Sequence, residues 1–312
     1  MPISRRLSTL VLALALVLGA EVQAAPALRF LAVGDIPYFP GEDLLLESFL
    51  AEELPRDAAF LVHVGDIKRG SAPCTEAALG RAAGIFRQQP VPVVFTPGDN
   101  EWTDCRLEAA GGYDPEERLA LLRRLYYGDA QVLRLAELDV VTPDPAYPEN
   151  YRFARAGVVF VTLHVVGSRN NLQRGASTEY EARSAANRRH LRAATAAAKA
   201  EGAQAMVLLF HANPGLEKTP APPGYGPLHE DLRHLLREFP GPVLAIHGDT
   251  HRYRFDQPLR DPSTGAPEPR FTRLEVPGSP VVGAVWVSID PEAPEPFTVR
   301  LTYPNARDWL AE

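Results

Sequence analysis

The sequence predicts an α/β fold in which short buried strands alternate with helices. Three apolar runs, residues 28–35, 58–66 and 90–99, have the length and composition of buried strands. Helical patterns at residues 43–54 and 76–89 separate these runs. Such alternation is typical of strand–helix–strand units in a layered α/β protein.

The second half of the chain continues this alternation with more strand. Residues 149–168 predict two strands with a turn at Ala156-Gly157, and residues 178–202 predict a long helix that ends at Gly202. Further strands are expected at residues 203–211 and 241–251, with a helix at 228–239 between them. The tail, residues 270–290 and 297–304, predicts two or three antiparallel strands. Proline- and glycine-rich segments at 217–227 and 260–269 indicate surface loops.

The first 24 residues have the layout of a secretory signal peptide. Arg5 and Arg6 form a basic start, residues 10–20 are apolar, and small residues precede an expected cleavage after Ala24. A retained membrane anchor is the alternative, but spanning a bilayer needs roughly 20 apolar residues. We therefore expect cleavage to leave a single domain, residues 25–312, that is periplasmic or secreted and does not insert into a membrane.

Charge and cysteine content narrow the function classes further. The formal net charge of −7 argues against binding to a nucleic-acid backbone, which requires a basic face. The chain has two cysteines, Cys74 and Cys105, and an even pair in an exported protein predicts a disulfide bond. That bond would close a loop of about 30 residues and contribute roughly 3–4 kcal/mol. Two unpaired thiols are the alternative.

Acidic residues and histidines follow the predicted strands. Three strands in succession end in Gly-Asp, at Asp35, Asp66 and Asp99, with spacings close to the roughly 30 residues of one strand–helix unit. Later strand ends supply His211, and then Asp249 and His251. Ligand sites in such sheets form at the carboxyl ends of strands, so these side chains are expected to converge. Buried carboxylates repel one another unless a cation is present, which favours a metal site.

In the order and spacing of these motifs, the chain resembles the calcineurin-like metallophosphoesterases, which include the purple acid phosphatases. The resemblance runs from Asp35 to His251 and implies a four-layer αββα sandwich with two central mixed β-sheets. Three departures concern expected histidines: Pro37 follows Asp35 where the family often has one, and Asp99-Asn100 replaces Asn-His. Asp249 replaces the first histidine of the last motif.

The resemblance implies a site for two divalent metal ions. Asp35, Asp66 and His251 would hold one ion, and Asp66 would bridge to a second held by Asp99, His211 and Asp249. Four carboxylates would balance two divalent ions, and this oxygen-rich ligand set disfavours zinc. Of the harder metals, manganese or iron is expected ahead of magnesium. Lys68 is expected to bind a phosphate oxygen, or to replace one metal and leave a mononuclear site.

The implied reaction is hydrolysis of a phosphomonoester or phosphodiester bond in a small phosphorylated substrate, by a metal-activated hydroxide. Asn100, in the position of the family's histidine, is expected to orient a substrate oxygen, but it cannot transfer a proton at pH 7. His164 is the candidate for that task, the alternative being a histidine hydrogen-bonded within the sheet. Asn170 is a candidate substrate contact. Glu101 is expected just outside the metal ligands, where it would contact them. His247 is expected to be a metal ligand or to hydrogen-bond one, because residues 247, 249 and 251 share one face of an extended segment.

Two other functions stay open at this stage. One is a secreted, non-catalytic protein that binds Ca²⁺ or another ligand on the same scaffold. It is favoured by Pro37 and Asn100, which stand where the family has histidine. The other is a hydrolase that cleaves a different bond with two metals.

Overall fold

The computed structural model describes residues 28–172, 178–261 and 264–304. The predicted signal peptide, residues 1–24, lies outside the described residues. The strands are β1 (Leu28–Val33), β2 (Leu61–His63), β3 (Val93–Phe95), β4 (Arg152–Arg155), β5 (Val158–Thr162), β6 (Ala205–Leu209), β7 (Val243–His247), β8 (Arg254–Asp256), β9 (Phe271–Glu275), β10 (Ala284–Ile289) and β11 (Phe297–Thr302). The helical segments are α1 (Glu42–Glu53), α2 (Glu76–Arg87), α3 (Pro115–Tyr126), α4 (Ala130–Leu133), α5 (Gly167–Asn170), α6 (Thr178–Ala200) and α7 (Gly226–Glu238).

These strands form two mixed sheets. The first has five strands in the order β11-β10-β1-β2-β3, in which β1, β2 and β3 are parallel. The second has six strands in the order β4-β5-β6-β7-β9-β8, in which β5, β6, β7 and β9 are parallel. Each sheet therefore has a run of parallel strands whose carboxyl ends lie at the same end of the sheet.

The sheets pack face to face and are covered by helices on their outer faces. Aromatic side chains fill the space between them: Phe30 stacks on Phe60 with ring centroids 4.8 Å apart, and Phe153 stacks on Phe160 at the same distance. Apolar faces of α1 to α4 cover the first sheet, and those of α6 and α7 cover the second. This arrangement confirms the predicted αββα sandwich.

Helix ends follow local sequence signals. Thr75 caps α2 by accepting a hydrogen bond from the amide of Ala78 (3.2 Å). Asp114 caps α3, which begins at Pro115 and has acidic residues in its first turn and basic residues in its last. The sequence analysis did not predict α3 or α4, or the short strand β8.

The tail differs from the prediction in one respect. Strands β10 and β11 are antiparallel, as expected, and extend the first sheet. Strand β9 instead joins the second sheet, parallel to β7 and antiparallel to β8. The physical reason is that both faces of β9 are covered, with Phe271 in the outer core and Leu274 in the inner one, which is typical of a parallel strand.

The predicted disulfide bond is present between Cys74 and Cys105, and both residues are fully buried. It joins the loop after β2 to the loop after β3. Those two loops carry Asp66 and Asp99, so the bond braces the edge at which the acidic residues lie.

Candidate metal centre

The six predicted metal ligands lie at the carboxyl ends of strands from both sheets. Asp35, Asp66 and Asp99 follow β1, β2 and β3 of the first sheet. His211 follows β6, and Asp249 and His251 follow β7, in the second sheet. Hydrogen bonds join the two sets: Asp249 N lies 3.0 Å from Asp35 Oδ1, and His211 Nδ1 lies 2.8 Å from the carbonyl oxygen of Val64.

Four of these residues have left-handed backbone conformations. The φ angles are 56° at Asp35, 58° at Asp66, 78° at Asp249 and 57° at His251. Residues other than glycine rarely adopt positive φ, and such backbone strain is concentrated at functional sites. The chain is also packed tightly here, since a Cβ atom on Gly248 would lie 2.2 Å from Asp35 Oδ2. Sharp local turns therefore direct these side chains toward one another.

Two overlapping groups of these side chains could each hold a metal ion. One consists of Asp35, Asp66 and His211, and the other of Asp99, His211 and Asp249. In each group the ligand atoms lie within 4.8 Å of one another. His211 Nε2 is 3.0 Å from Asp99 Oδ1 and 3.4 Å from Asp66 Oδ1. One nitrogen lone pair binds one metal, so His211 can complete only one of the two groups.

Backbone carbonyls orient both imidazoles of the centre. His211 Nδ1 is in contact with the carbonyl of Val64, and His251 Nδ1 lies 2.6 Å from the carbonyl of Ser279. A carbonyl oxygen can only accept a hydrogen bond, so Nδ1 must carry the proton in each ring. The Nε2 atoms face the carboxylates, that of His251 at 3.7 Å from Asp35 Oδ1. Both rings thus present the nitrogen that a metal requires.

Burial makes this cluster of negative charge unfavourable without a cation. Burial raises the pKa of Asp35 to about 8, against the opposing charge of His211, and it also raises the pKa of Asp66 and Asp249. Burial opposes protonation of His211, but the nearby carboxylates outweigh it and raise its pKa well above the usual value. Protons therefore supply the missing positive charge. Carboxylate oxygens and imidazole nitrogens are ligands for divalent metals, so the donor set fits such ions.

Tyr38 and Asn100 both donate hydrogen bonds to one carboxylate oxygen of Asp66, Oδ2. Tyr38 donates its hydroxyl proton to Asp66 Oδ2 over 2.8 Å, and Asn100 Nδ2 donates to the same oxygen over 2.5 Å. The amide of Asn100 donates to Asp66 Oδ1 over 3.0 Å. The sequence analysis missed Tyr38, whose available signal was its position three residues after Asp35 in the loop that follows β1.

Comparison with known proteins decides the family. The family described as calcineurin-like phosphoesterase matches residues 28–253. This chain belongs to that family. Among solved structures, a dimetal phosphatase from Danio rerio is similar with a TM-score of 0.57 and 14% identity, over 90% of this chain and 98% of that one. The structure of PhoD is similar with a TM-score of 0.54 and 14% identity, over 90% of this chain and 69% of that one. No curated protein matched by sequence.

In this member of the calcineurin-like phosphoesterase family, Glu101 lies just outside the candidate ligands. Its Oε1 accepts hydrogen bonds from the amides of Gly98 (2.6 Å) and Asp66 (3.1 Å), so it ties the loop after β2 to the loop after β3. The residue is fully buried, and burial raises its pKa. Its placement agrees with the predicted outer role.

His164 is enclosed in the fold rather than directed into the metal centre. It is fully buried, its Nδ1 lies 2.7 Å from Glu149 Oε1, and its ring packs against Trp102 at 5.2 Å between centroids. Arg123 completes the arrangement with two hydrogen bonds to Glu149. The prediction that His164 assists the leaving group is therefore not supported, because a sealed imidazole cannot reach substrate. The structure favours the alternative, a hydrogen-bonded histidine at the sheet.

His247 also has a structural placement. It is fully buried, its ring stacks on Phe210, and its Nδ1 contacts the carbonyl of Gly248 at 3.0 Å. The expectation that residues 247, 249 and 251 share a face assumed an extended segment. The left-handed conformations of Asp249 and His251 break that alternation, so His247 is not grouped with the ligands.

Lys68 and Asn170 make contacts other than those predicted. Lys68 Nζ donates to the carbonyls of Arg69 (3.2 Å) and Ala72 (2.9 Å). It forms no ion pair within 4.0 Å in the part of the chain that the structure describes, and its predicted roles, binding a phosphate oxygen or replacing one metal, stay predictions. The Asn170 side chain is buried on Arg183 and Gly224, which overturns its predicted role as a substrate contact.

Proposed function

We propose that the protein is an exported, metal-dependent phosphoesterase that hydrolyses phosphomonoester or phosphodiester bonds of small substrates. The observation that carries the proposal is the convergence of four carboxylates on His211 at one end of a calcineurin-like fold. His251 lies in neither of the two groups, but its Nε2 faces Asp35 Oδ1 at 3.7 Å. In the chain as described, no helix is both long enough and apolar enough to cross a membrane.

The proposed ligands divide between two ions. Asp35, Asp66 and His251 would hold one, and Asp99, His211 and Asp249 would hold the other, with Asp66 shared. This division gives His211 Nε2 to a single metal, alongside Asp99 at 3.0 Å. The oxygen-rich set favours manganese or iron. Bound metals of this kind supply Lewis acidity and a water molecule of lowered pKa.

The protein's own residues bind and orient rather than transfer protons. Asn100 and Tyr38 fix the shared carboxylate of Asp66, and Glu101 fixes the loop that carries it. Neither the amide of Asn100 nor the enclosed His164 can protonate a leaving group. We therefore propose that the preferred substrates have leaving groups of low pKa, which depart without a proton from the protein.

Export is part of the proposal on sequence grounds. The basic and apolar pattern of residues 1–24 supports it, and so does the pairing of Cys74 with Cys105, because disulfide bonds persist in oxidising compartments. Expression of the full chain in a bacterial host, followed by N-terminal sequencing of the periplasmic product, tests this part. A periplasmic chain that starts at residue 25 is expected, and a cytoplasmic full-length product would contradict it.

Metal content and hydrolysis test the activity together. Elemental mass spectrometry of protein purified without chelators is expected to give close to two manganese or iron ions per chain. The metal-loaded protein is then assayed on p-nitrophenyl phosphate and bis-p-nitrophenyl phosphate, with Asp66→Ala as the inactive control. A folded Asp66→Ala variant that keeps its metal and full activity would refute the assignment.

A non-catalytic binding protein is the second candidate, and Asn100 together with the enclosed His164 favours it. In that case wild type would bind metal but hydrolyse neither ester above the rate of Asp66→Ala. A protein that binds no metal after dialysis against Mn²⁺ or Fe²⁺ would refute the enzymatic proposal and favour the binding protein, whose ligand would then be Ca²⁺ or another molecule.

A further inference from the structure

The segment α5 has an unusual backbone and lies beside the metal centre. Ser168 has φ 47° and ψ 44°, and Arg169 has φ 59° and ψ 34°. Asn170 and Asn171 continue the left-handed conformation with φ angles of 53° and 57°. Four consecutive residues other than glycine in this region form a strained turn, since L-residues visit it as single positions rather than as runs. Contacts with the rest of the protein must hold it in place.

Arg183 of α6 supplies those contacts from the buried side. Its side chain is fully buried and donates to Asn170 Oδ1 (2.6 Å), the Asn170 carbonyl (3.0 Å) and the His164 carbonyl (2.8 Å). Glu179 balances its charge over 2.5 Å. Asn170 Nδ2 in turn donates to the carbonyl of Gly224. Asn170 therefore anchors the turn, which is why its side chain is not available to substrate.

The opposite side of the turn faces the loop after β3, which carries Asp99 and Asp104. Ser168 Oγ donates to Asp99 Oδ2 over 2.7 Å and also lies 2.8 Å from Asp104 Oδ1. The approach is close, since a Cβ atom on Gly167 would lie 2.5 Å from Asp99 Oδ1. The other oxygen of Asp99, Oδ1, is the one that faces His211 Nε2 at 3.0 Å.

We propose that Ser168 is a positioning residue that holds Asp99 Oδ2, so that Oδ1 remains directed at the metal beside His211. The strained turn exists to bring that hydroxyl to the carboxylate, and Arg183 maintains the turn. The inference rests on the proposed function, because it concerns the ion assigned to Asp99, His211 and Asp249. Residues that orient a metal ligand typically change metal affinity 10- to 100-fold when they are removed.

Two substitutions separate the hydroxyl from the backbone strain. Ser168→Ala removes the hydroxyl and keeps a Cβ atom at positive φ, whereas Ser168→Gly removes the hydroxyl and relieves the strain. Both are expected to weaken Mn²⁺ binding at one of two sites by about tenfold or more, measured by titration calorimetry of the metal-free full chain. Ser168→Gly is also expected to melt at a higher temperature than Ser168→Ala in EDTA. The two variants should therefore agree in metal affinity while they differ in stability.

Arg169→Ala is the matched control in the same turn. Arg169 has positive φ, is exposed, and its side chain has no hydrogen bond or ion pair in the described part of the chain. Its substitution is expected to leave Mn²⁺ affinity within twofold of wild type. In an Asp99→Asn background, Ser168→Ala is expected to have no further effect, because the two residues act through one contact.

The inference fails if Ser168→Ala binds both ions as wild type does, or if Ser168→Gly restores the affinity that Ser168→Ala loses. The first result removes any role for the hydroxyl, and the second assigns the effect to strain. Either result leaves hydrolysis by wild type intact, so the proposed function would stand. Conversely, weakened Mn²⁺ binding in both variants of a protein that hydrolyses no ester would support the positioning role and refute the enzymatic one. A wild type that binds no Mn²⁺ refutes both.

Discussion

Substitution of Asp35 by asparagine is expected to stabilise the metal-free protein. Burial raises the pKa of Asp35 from 3.8 to about 8, against the charge of His211, and the side chain is fully buried. Between these two values the folded chain keeps a proton that the unfolded chain releases, so stability falls as pH rises. At about 1.4 kcal/mol per pH unit, this penalty is about 2 kcal/mol at pH 5 and about 5 kcal/mol at pH 8. The neutral amide of the Asp35→Asn variant carries no such penalty.

Urea unfolding in EDTA measures the difference. Wild type and Asp35→Asn are compared at pH 5 and at pH 8, with the exposed Glu292→Gln as the control for loss of a carboxylate elsewhere. The advantage of Asp35→Asn is expected to widen by about 3 kcal/mol between the two pH values, whereas the control shows no such change. With saturating Mn²⁺ the order reverses, because wild type gains binding energy that the variant has lost.

Equal stability of wild type and Asp35→Asn at pH 8 in EDTA would refute this reasoning. It would mean that Asp35 is not held in the folded state at an electrostatic cost. An advantage that narrows from pH 5 to pH 8 would have the wrong sign for a buried acid and would refute it equally.

Three further outcomes are expected. Tyr38→Phe removes the hydroxyl that donates to Asp66 and should weaken Mn²⁺ binding about tenfold, measured by calorimetry. Tyr303→Phe is the control and should bind Mn²⁺ as wild type does. Equal affinities of Tyr38→Phe and wild type would show that this hydrogen bond does not support the metal centre. Cys74→Ser should lower the free energy of unfolding by about 3–4 kcal/mol in urea, and a loss below about 1 kcal/mol would show that the bond does not constrain the unfolded chain. Glu149→Gln should lower the free energy of unfolding by about 3 kcal/mol at pH 7. The reason is that contacts with His164 and Arg123 outweigh the effect of burial and hold the pKa of Glu149 at about 2 rather than 4.5. That depressed pKa stabilises the fold above pH 4.5 and the effect disappears toward pH 2, so a difference that persists at pH 2 would contradict the assignment.

Strand ends and their acidic residues were predictable because burial leaves a simple pattern in the sequence. A parallel strand covered on both faces is a continuous apolar run, and the first polar residue after it marks the edge of the sheet. Asp35, Asp66 and Asp99 follow three such runs, and His211 follows a fourth. The order of these motifs was sufficient to indicate the family.

Side-chain direction beyond the strand ends was not predictable in the same way. His247 was expected to share a face with Asp249, but positive φ angles at Asp249 and His251 reorient the chain, and apolar periodicity does not report them. His164 and Asn170 have the chemistry of site residues. Whether such a side chain faces substrate or the interior depends on distant partners, here Glu149 and Arg183, which no local pattern reveals.

The same limit explains the residues that were missed. Tyr38 and Ser168 are single residues in loops, and each acts through one hydrogen bond to a candidate ligand. Helix α3 is a different case, since Asp114, Pro115 and the charged residues after them are ordinary signals for a helix start. That element could have been found from the sequence alone.

The contribution of ligands by both sheets has a consequence for the lifetime of the folded chain. Asp35, Asp66 and Asp99 belong to one layer of the sandwich, and His211, Asp249 and His251 belong to the other. A metal held between them would act as a removable cross-link, and the two layers could not separate at this edge without releasing it. Free metal at one hundred times its dissociation constant would add about 2.7 kcal/mol of stability, which vanishes when the metal is scarce. Resistance to proteolysis would then depend on the metal concentration in the compartment, and the metal-free protein would be degraded faster than the metal-bound protein.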